Sequence, residues 1–194
     1  MASDALDPRW AEFEGSWRCA NCEEWHSGIF DLGCFAPDFW QGPVVLSDNS
    51  DLNFDGDFLS EDFCVIDAKH FFIRCVFSFP LVGSDGRFGF GVWSSLSRAN
   101  FDTYVHGFDD GMQADLGPWF GWFSNRLAGY PDTISLKAVV QPQDDRQRPN
   151  LSLAADHAEH PLAVEQRDGM TFERLLDIYS LYGHGAQPAA IAVP

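Results

Sequence analysis

Between residues 63 and 96 the apolar positions recur at every second residue. In His70-Phe71-Phe72-Ile73-Arg74-Cys75-Val76-Phe77-Ser78-Phe79-Pro80, the odd-numbered Phe71, Ile73, Cys75, Phe77 and Phe79 make one continuous apolar face, and His70, Arg74 and Ser78 mark the other. That is the period of a half-buried strand. Gly83-Ser84-Asp85-Gly86 supplies a hairpin turn, and residues 87–96 return as the partner, with Phe88, Phe90 and Val92 on one face. A shorter apolar run, Phe63-Cys64-Val65-Ile66, precedes this pair.

After Ser97, an N-cap residue, the period becomes helical: Phe101, Tyr104, Val105 and Phe108 fall at i, i+3, i+4 and i+7, which predicts a helix over 98–107. The stretch 118–137 then reads as a strand over 119–123 and a turn at Gly129-Tyr130-Pro131-Asp132. Alternation resumes over 133–140, and a short strand follows at 151–153. This stretch is expected at the centre of the sheet and beside any site. Thr171 opens a second helix, with Phe172, Leu175, Leu176 and Tyr179 on one face, and Gly183 stops it.

These elements assemble into an α+β fold: a mostly antiparallel sheet of four to six strands, two covering helices and an amino-terminal Cys-x-x-Cys flap. The expected divisions are an acidic extension over 1–16, a single domain over 17–183 and a disordered tail over 184–194.

Length and aromatic content support a packed interior, since 194 residues with 18 Phe and 7 Trp need a core to hide them. The net charge of −17 is uneven, with 15 acidic residues in the first 67 against only Arg9 and Arg18. Such a surface disfavours phosphate backbones and so nucleic acid, and it suits either a basic protein partner or simple solubility. The absence of any 18-residue apolar run excludes a membrane-spanning helix. The amino terminus carries neither a basic region nor an apolar one, so a cytoplasmic location is expected, where five cysteines stay reduced or bind metal.

The sharpest local chemistry is Cys19-Ala20-Asn21-Cys22 followed by His26 and Cys34. Two thiolates two residues apart can chelate one ion from a tight turn, and a nearby imidazole can join them. The reading is a structural zinc site formed by Cys19, Cys22 and His26, with Cys34, or else Cys64, as the fourth ligand. Residues 51–62 resemble a calcium loop at their first positions, but Asp62 stands where a longer carboxylate is needed and the flanks look like strands. A solvated acidic loop is the simpler reading.

Several blocks together resemble a bacterial family, domain of unknown function 2199. They are Cys19-Ala20-Asn21-Cys22 with His26, Ala36-Pro37-Asp38-Phe39-Trp40, Cys64-Val65-Ile66-Asp67 with His70-Phe71-Phe72-Ile73-Arg74, Gly91-Val92-Trp93-Ser94-Ser95-Leu96-Ser97, Phe120-Gly121-Trp122, Gly129-Tyr130-Pro131-Asp132-Thr133 and His160-Pro161-Leu162-Ala163-Val164-Glu165-Gln166-Arg167-Asp168-Gly169. The resemblance implies a cytosolic bacterial protein built as one domain and brings no assigned chemistry.

No nucleophile elbow, phosphate loop or dinucleotide fingerprint occurs. Polar groups set in apolar or turn-rich blocks therefore form the candidate ligand-binding set: Trp93, Trp122, Asn125, Arg126, Tyr130, Asp132, His160, Glu165 and Arg167. Trp93, Trp119, Trp122 and Tyr130 are expected to line an aromatic cleft. The leading expectation is a regulatory module that binds a protein or small ligand. The alternative is a hydrolase in which His160 or His70 works beside Glu165 or Asp132.

Overall fold

The computed structural model describes residues 6–13, 15–19 and 22–184. Along the chain run β1 (Ser16–Arg18), β2 (Trp25–Ser27), β3 (Leu32–Gly33), β4 (Phe58–Leu59), β5 (Phe63–Ile66), β6 (His70–Pro80) and β7 (Arg87–Leu96). Then come α1 (Arg98–Phe108), β8 (Trp119–Trp122), β9 (Lys137–Gln141), β10 (Asn150–Leu153), α2 (Pro161–Asp168) and α3 (Phe172–Leu181).

The β6–β7 hairpin is the spine, paired antiparallel from Phe71 opposite Leu96 to Pro80 opposite Arg87. Its odd-numbered β6 residues are buried, as the alternation predicts, and they meet Phe88, Phe90 and Val92 in one core cluster with Phe101, Tyr104, Leu175 and Tyr179 of the helices. Ser97 caps α1 by accepting the Asn100 amide at 3.2 Å, and Thr171 caps α3 by accepting that of Arg174 at 3.3 Å. Both hydroxyls satisfy amides that a helix start leaves unpaired.

The sheet is larger and more mixed than the expected four to six antiparallel strands. Among the described residues it has eight strands, and two strand pairings are parallel: β3 with β7, and β10 with β6. The edge of β6 is shared, with β5 pairing at residues 70–73 and β10 joining at Val76. A third helix, α2, follows Pro161, which is pre-set for a first helical turn. The pair β1–β2 forms a separate two-stranded sheet and constitutes the amino-terminal flap.

Residues 118–137 do not run through the middle of the sheet. β8 lies at the end of the path β7-β6-β10-β9-β8, but its continuation turns back onto the spine. Phe123 bridges Ser94 and the Ser124 amide donates to the Trp93 carbonyl at 2.9 Å, so the path closes on β7. Gly121 allows this approach, because a Cβ there would stand 2.5 Å from the Ser95 carbonyl oxygen. The expected strand over 133–140 starts only at Lys137. Thr133 Oγ1 donates to the Asn125 carbonyl and accepts the Leu127 amide instead, which holds the chain in a turn. Of the expected tail, His184 is placed against α3, its amide donating to the Tyr179 carbonyl at 2.8 Å. The rest of that tail, like residues 1–5 of the expected extension, lies outside the described residues.

Candidate functional site

The flap hairpin turns through the loop after Arg18. The Cys19 amide donates to the Glu24 carbonyl at 2.8 Å, the Glu23 amide donates back to the Cys19 carbonyl at 3.1 Å, and Glu23 takes the left-handed conformation, φ 61°. This tight closure brings the Cys22 amide to 3.4 Å from Cys19 Sγ. On β2, His26 points at the same loop, with Nε2 3.3 Å from Cys22 Sγ.

The fourth group comes from the other end of the chain. His184 follows Gly183, whose φ of 78° ends α3, and its Nδ1 lies 3.8 Å from Cys22 Sγ. One aromatic stack supports both halves: Phe30 stacks on His26 at 4.6 Å on one side and on Tyr179 at 4.6 Å on the other. The Tyr179 hydroxyl donates to the Phe30 carbonyl at 2.8 Å and accepts the Phe30 amide at 3.0 Å. Tyr179 thus locks the residue behind His26 and, through its own carbonyl, the backbone of His184.

The ligand atoms of Cys19, Cys22, His26 and His184 all lie within 4.8 Å of one another, and together they could hold a metal ion. Bond lengths of about 2.3 Å to sulfur and 2.0 Å to nitrogen give a tetrahedron whose sulfur–nitrogen edge is roughly 3.5 Å. The two measured separations from Cys22 straddle that length. Two thiolates and two neutral imidazoles would also balance a divalent charge. The Glu24 amide holds the Cys22 thiol down, but partial desolvation and the adjacent Cys19 sulfur outweigh it and leave that thiol above its ordinary range.

Cys34, expected as the fourth ligand, is not part of this cluster. It follows β3, which pairs parallel with β7, and its amide donates to the Gly91 carbonyl at 2.7 Å while its carbonyl accepts the Trp93 indole N–H at 3.0 Å. Burial, then Asp38, pushes its thiol up to about 12. Cys64 is wholly buried in β5, and burial pushes it up to about 12 as well.

The candidate ligand-binding residues do not converge on one place. Trp93 is 0% exposed. Asn125 is a fastener: its Oδ1 accepts the Trp93 amide at 2.8 Å, and its Nδ2 donates to the Ala36 carbonyl at 2.9 Å and to Asp38 at 3.1 Å. Arg126, Tyr130 and Asp132 line a surface cavity of 430 Å³ on the 126–133 turn, where Arg126 pairs with Asp38 at 3.7 Å and Asp132 at 3.9 Å.

Below that turn the Tyr130 hydroxyl donates to Glu165 at 2.5 Å, and Glu165 also accepts from Arg174 Nε at 2.8 Å. The Arg174 guanidinium lies 4.8 Å over the Tyr130 ring and donates to the Gly129 carbonyl at 2.8 Å. Burial, then Glu165, raises the Tyr130 hydroxyl. Arg174 escaped the sequence reading because it lies on the polar side of an amphipathic helix, where a solvated charge is the ordinary case. Arg167 is exposed and pairs with its neighbour Asp168 at 2.8 Å.

His160 caps α2, its Nδ1 accepting the Leu162 amide at 3.2 Å. Burial, then the nearby His157, lowers its pKa. Among the described residues no histidine ring is hydrogen-bonded to a carboxylate: the ring bonds found are those of His26, His106, His160 and His184 to thiol or backbone. The expected aromatic cleft also divides. Trp119 and Trp122 stand three apart on one strand and so face opposite ways, Trp93 is interior, and Tyr130 packs on Phe79.

Trp122 instead walls a second cavity of 360 Å³, with Phe39, Ile66 and Phe72. Ser95, Ser124, Ser135 and His70 supply its polar groups. In the calcium-like loop Asn53 accepts the Asp55 amide at 2.9 Å, and Asp62 accepts from Arg148 at 2.8 Å and from Asn49 at 2.9 Å, so its last carboxylate is already engaged.

A family profile described as an uncharacterised protein conserved in bacteria matches residues 18–170, and the chain belongs to this family, domain of unknown function 2199. Three of the four cluster residues lie inside the matched segment and His184 lies beyond it. No curated protein and no solved structure matches the chain. Among the described residues no helix is long and apolar enough to cross a membrane.

Proposed function

We propose that this member of an uncharacterised bacterial family is a binding module stapled by a structural zinc ion, held by Cys19, Cys22, His26 and His184. The observation that carries this reading is the closed set of four donors whose atoms lie within 4.8 Å of one another. A catalytic zinc keeps one position for water, whereas two sulfurs and two nitrogens fill a tetrahedron. The metal's work is then to join the flap to the end of α3. A hairpin with three residues in each strand is marginal alone.

Binding rather than catalysis is the reading favoured for the remainder, because among the described residues no histidine ring meets a carboxylate as the hydrolase alternative requires. The excess of acid in the first third suits a protein partner with a basic patch, and a reducing cytoplasm would keep the thiolates available to zinc. Chelation should lower the melting temperature by about 5–10 °C, since a structural metal contributes its binding energy to folding. An unchanged transition under a strong chelator would remove the staple. Co-purification of a basic protein at low ionic strength, released by added salt, is the matching test of the partner.

A further inference from the structure

The 360 Å³ cavity shares no lining residue with the metal cluster. It sits on the β6–β7 face opposite the helices, where Phe72 stands across from Ser95. The volume falls at the small end of the roughly 300–1,000 Å³ that small-molecule sites occupy. Its walls are aromatic and flat: Phe39 lies 6.0 Å from Phe72 with ring planes 22° apart. Phe39 and Trp122 stay 43% and 41% exposed at the rim, so apolar surface there is left for a ligand to cover.

The polar groups limit what can enter. Ser124 spends its hydrogen on the Trp122 carbonyl at 2.8 Å, while Ser95 Oγ accepts the Trp122 amide at 3.1 Å and keeps its own hydrogen. Among the described residues the Ser135 hydroxyl, which lines the cavity, has no hydrogen-bond partner, so two hydroxyl hydrogens are available to a ligand acceptor. No Asp, Glu, Lys or Arg lines the cavity. Its one titratable group is His70, so an ionised ligand would give up hydration with no carboxylate, ammonium or guanidinium to meet it, and in a chain of net charge −17 an anion would also be repelled.

We infer that this cavity binds a neutral, planar aromatic molecule of two or three rings that carries one hydrogen-bond acceptor, stacked against Phe39 and Trp122 and fastened by Ser95 and Ser135. The inference deepens the binding-module reading and rests on it, but it does not depend on the zinc.

The probe is 6-propionyl-2-(dimethylamino)naphthalene, a neutral two-ring aromatic whose ketone oxygen is the acceptor, titrated against the full chain by its fluorescence gain and by energy transfer from tryptophan. Saturable one-to-one binding is expected. It should weaken at least tenfold in Phe39→Ala and in Trp122→Ala, and it should be largely kept in Phe120→Ala, which removes a more exposed aromatic that packs edge-on against Trp122 but lies outside the cavity. The anionic naphthalene probe 8-anilinonaphthalene-1-sulfonate should bind at least tenfold more weakly. Non-saturating binding, equal losses in all three variants, or equal affinity for the anion would overturn the inference. Because metal content is read separately, such a failure would leave the zinc staple standing, and loss of the staple would leave this titration interpretable.

Discussion

Gly121 decides whether the sheet can close. A Cβ at that position would press on the Ser95 carbonyl at 2.5 Å and on the Ser94 hydroxyl and Val140 methyl as well, and a backbone carbonyl in a paired strand cannot move aside cheaply. Gly121→Ala is therefore expected to destabilise by about 2–3 kcal/mol, measured as a lower urea midpoint with an unchanged slope. Sequence patterning marked Gly121 only as one residue of an aromatic-rich strand, since the group it must avoid lies on β7. Asn125 was likewise legible as a conspicuous polar residue but not in its role. Three hydrogen bonds to residues far along the chain make it a fastener rather than a ligand contact.

Among the elements, β6, β7, α1 and α3 were legible because ten or so residues of regular period leave little ambiguity and capping residues mark both helix starts. β3 and β4 hold two residues each, too few to show any period. The parallel pairings join strands distant in sequence and leave no turn signal between them. α2 was hidden by its weak amphipathicity. A flap was expected from its cysteines, though not the two strands that form it, and its dependence on those cysteines gives an element-scale prediction. On chelation the amides of β1 and β2 should lose hydrogen-exchange protection while those of β6 and β7 keep theirs, as a locally unfolding unit would. Equal protection with and without chelator would show that the packing of Trp17, Phe30 and Tyr179 holds the flap unaided.

For the molecule as a whole, the buried thiols Cys64 and Cys75 and the half-buried Cys34 set an alkaline limit. Cys34 and Cys64 are raised from 9.0 to about 12 by burial, and Cys75 is raised further still. The folded state therefore keeps protons that the unfolded chain releases above pH 9. Stability is whole below that pH and falls as pH climbs toward 12, by up to about 1.4 kcal/mol per pH unit for each thiol. Urea midpoints should be flat from pH 7 to 8.5 and decline above 9, and substituting Cys64 with Ala should shallow the decline. A midpoint that stays flat to pH 11 would contradict the burial of these thiols.

The staple itself spans the molecule. Cys19, Cys22 and His26 were readable because they fall within eight residues, whereas His184 stands 162 positions from Cys22 and only the fold of α3 against Phe30 brings it near. The direct test is zinc stoichiometry of the purified chain beside His184→Ala and Cys34→Ser. The expected result is one zinc per chain, retained in Cys34→Ser and lost or weakened at least tenfold in His184→Ala. No zinc in the parent chain, or zinc kept in His184→Ala and lost in Cys34→Ser, would contradict the account.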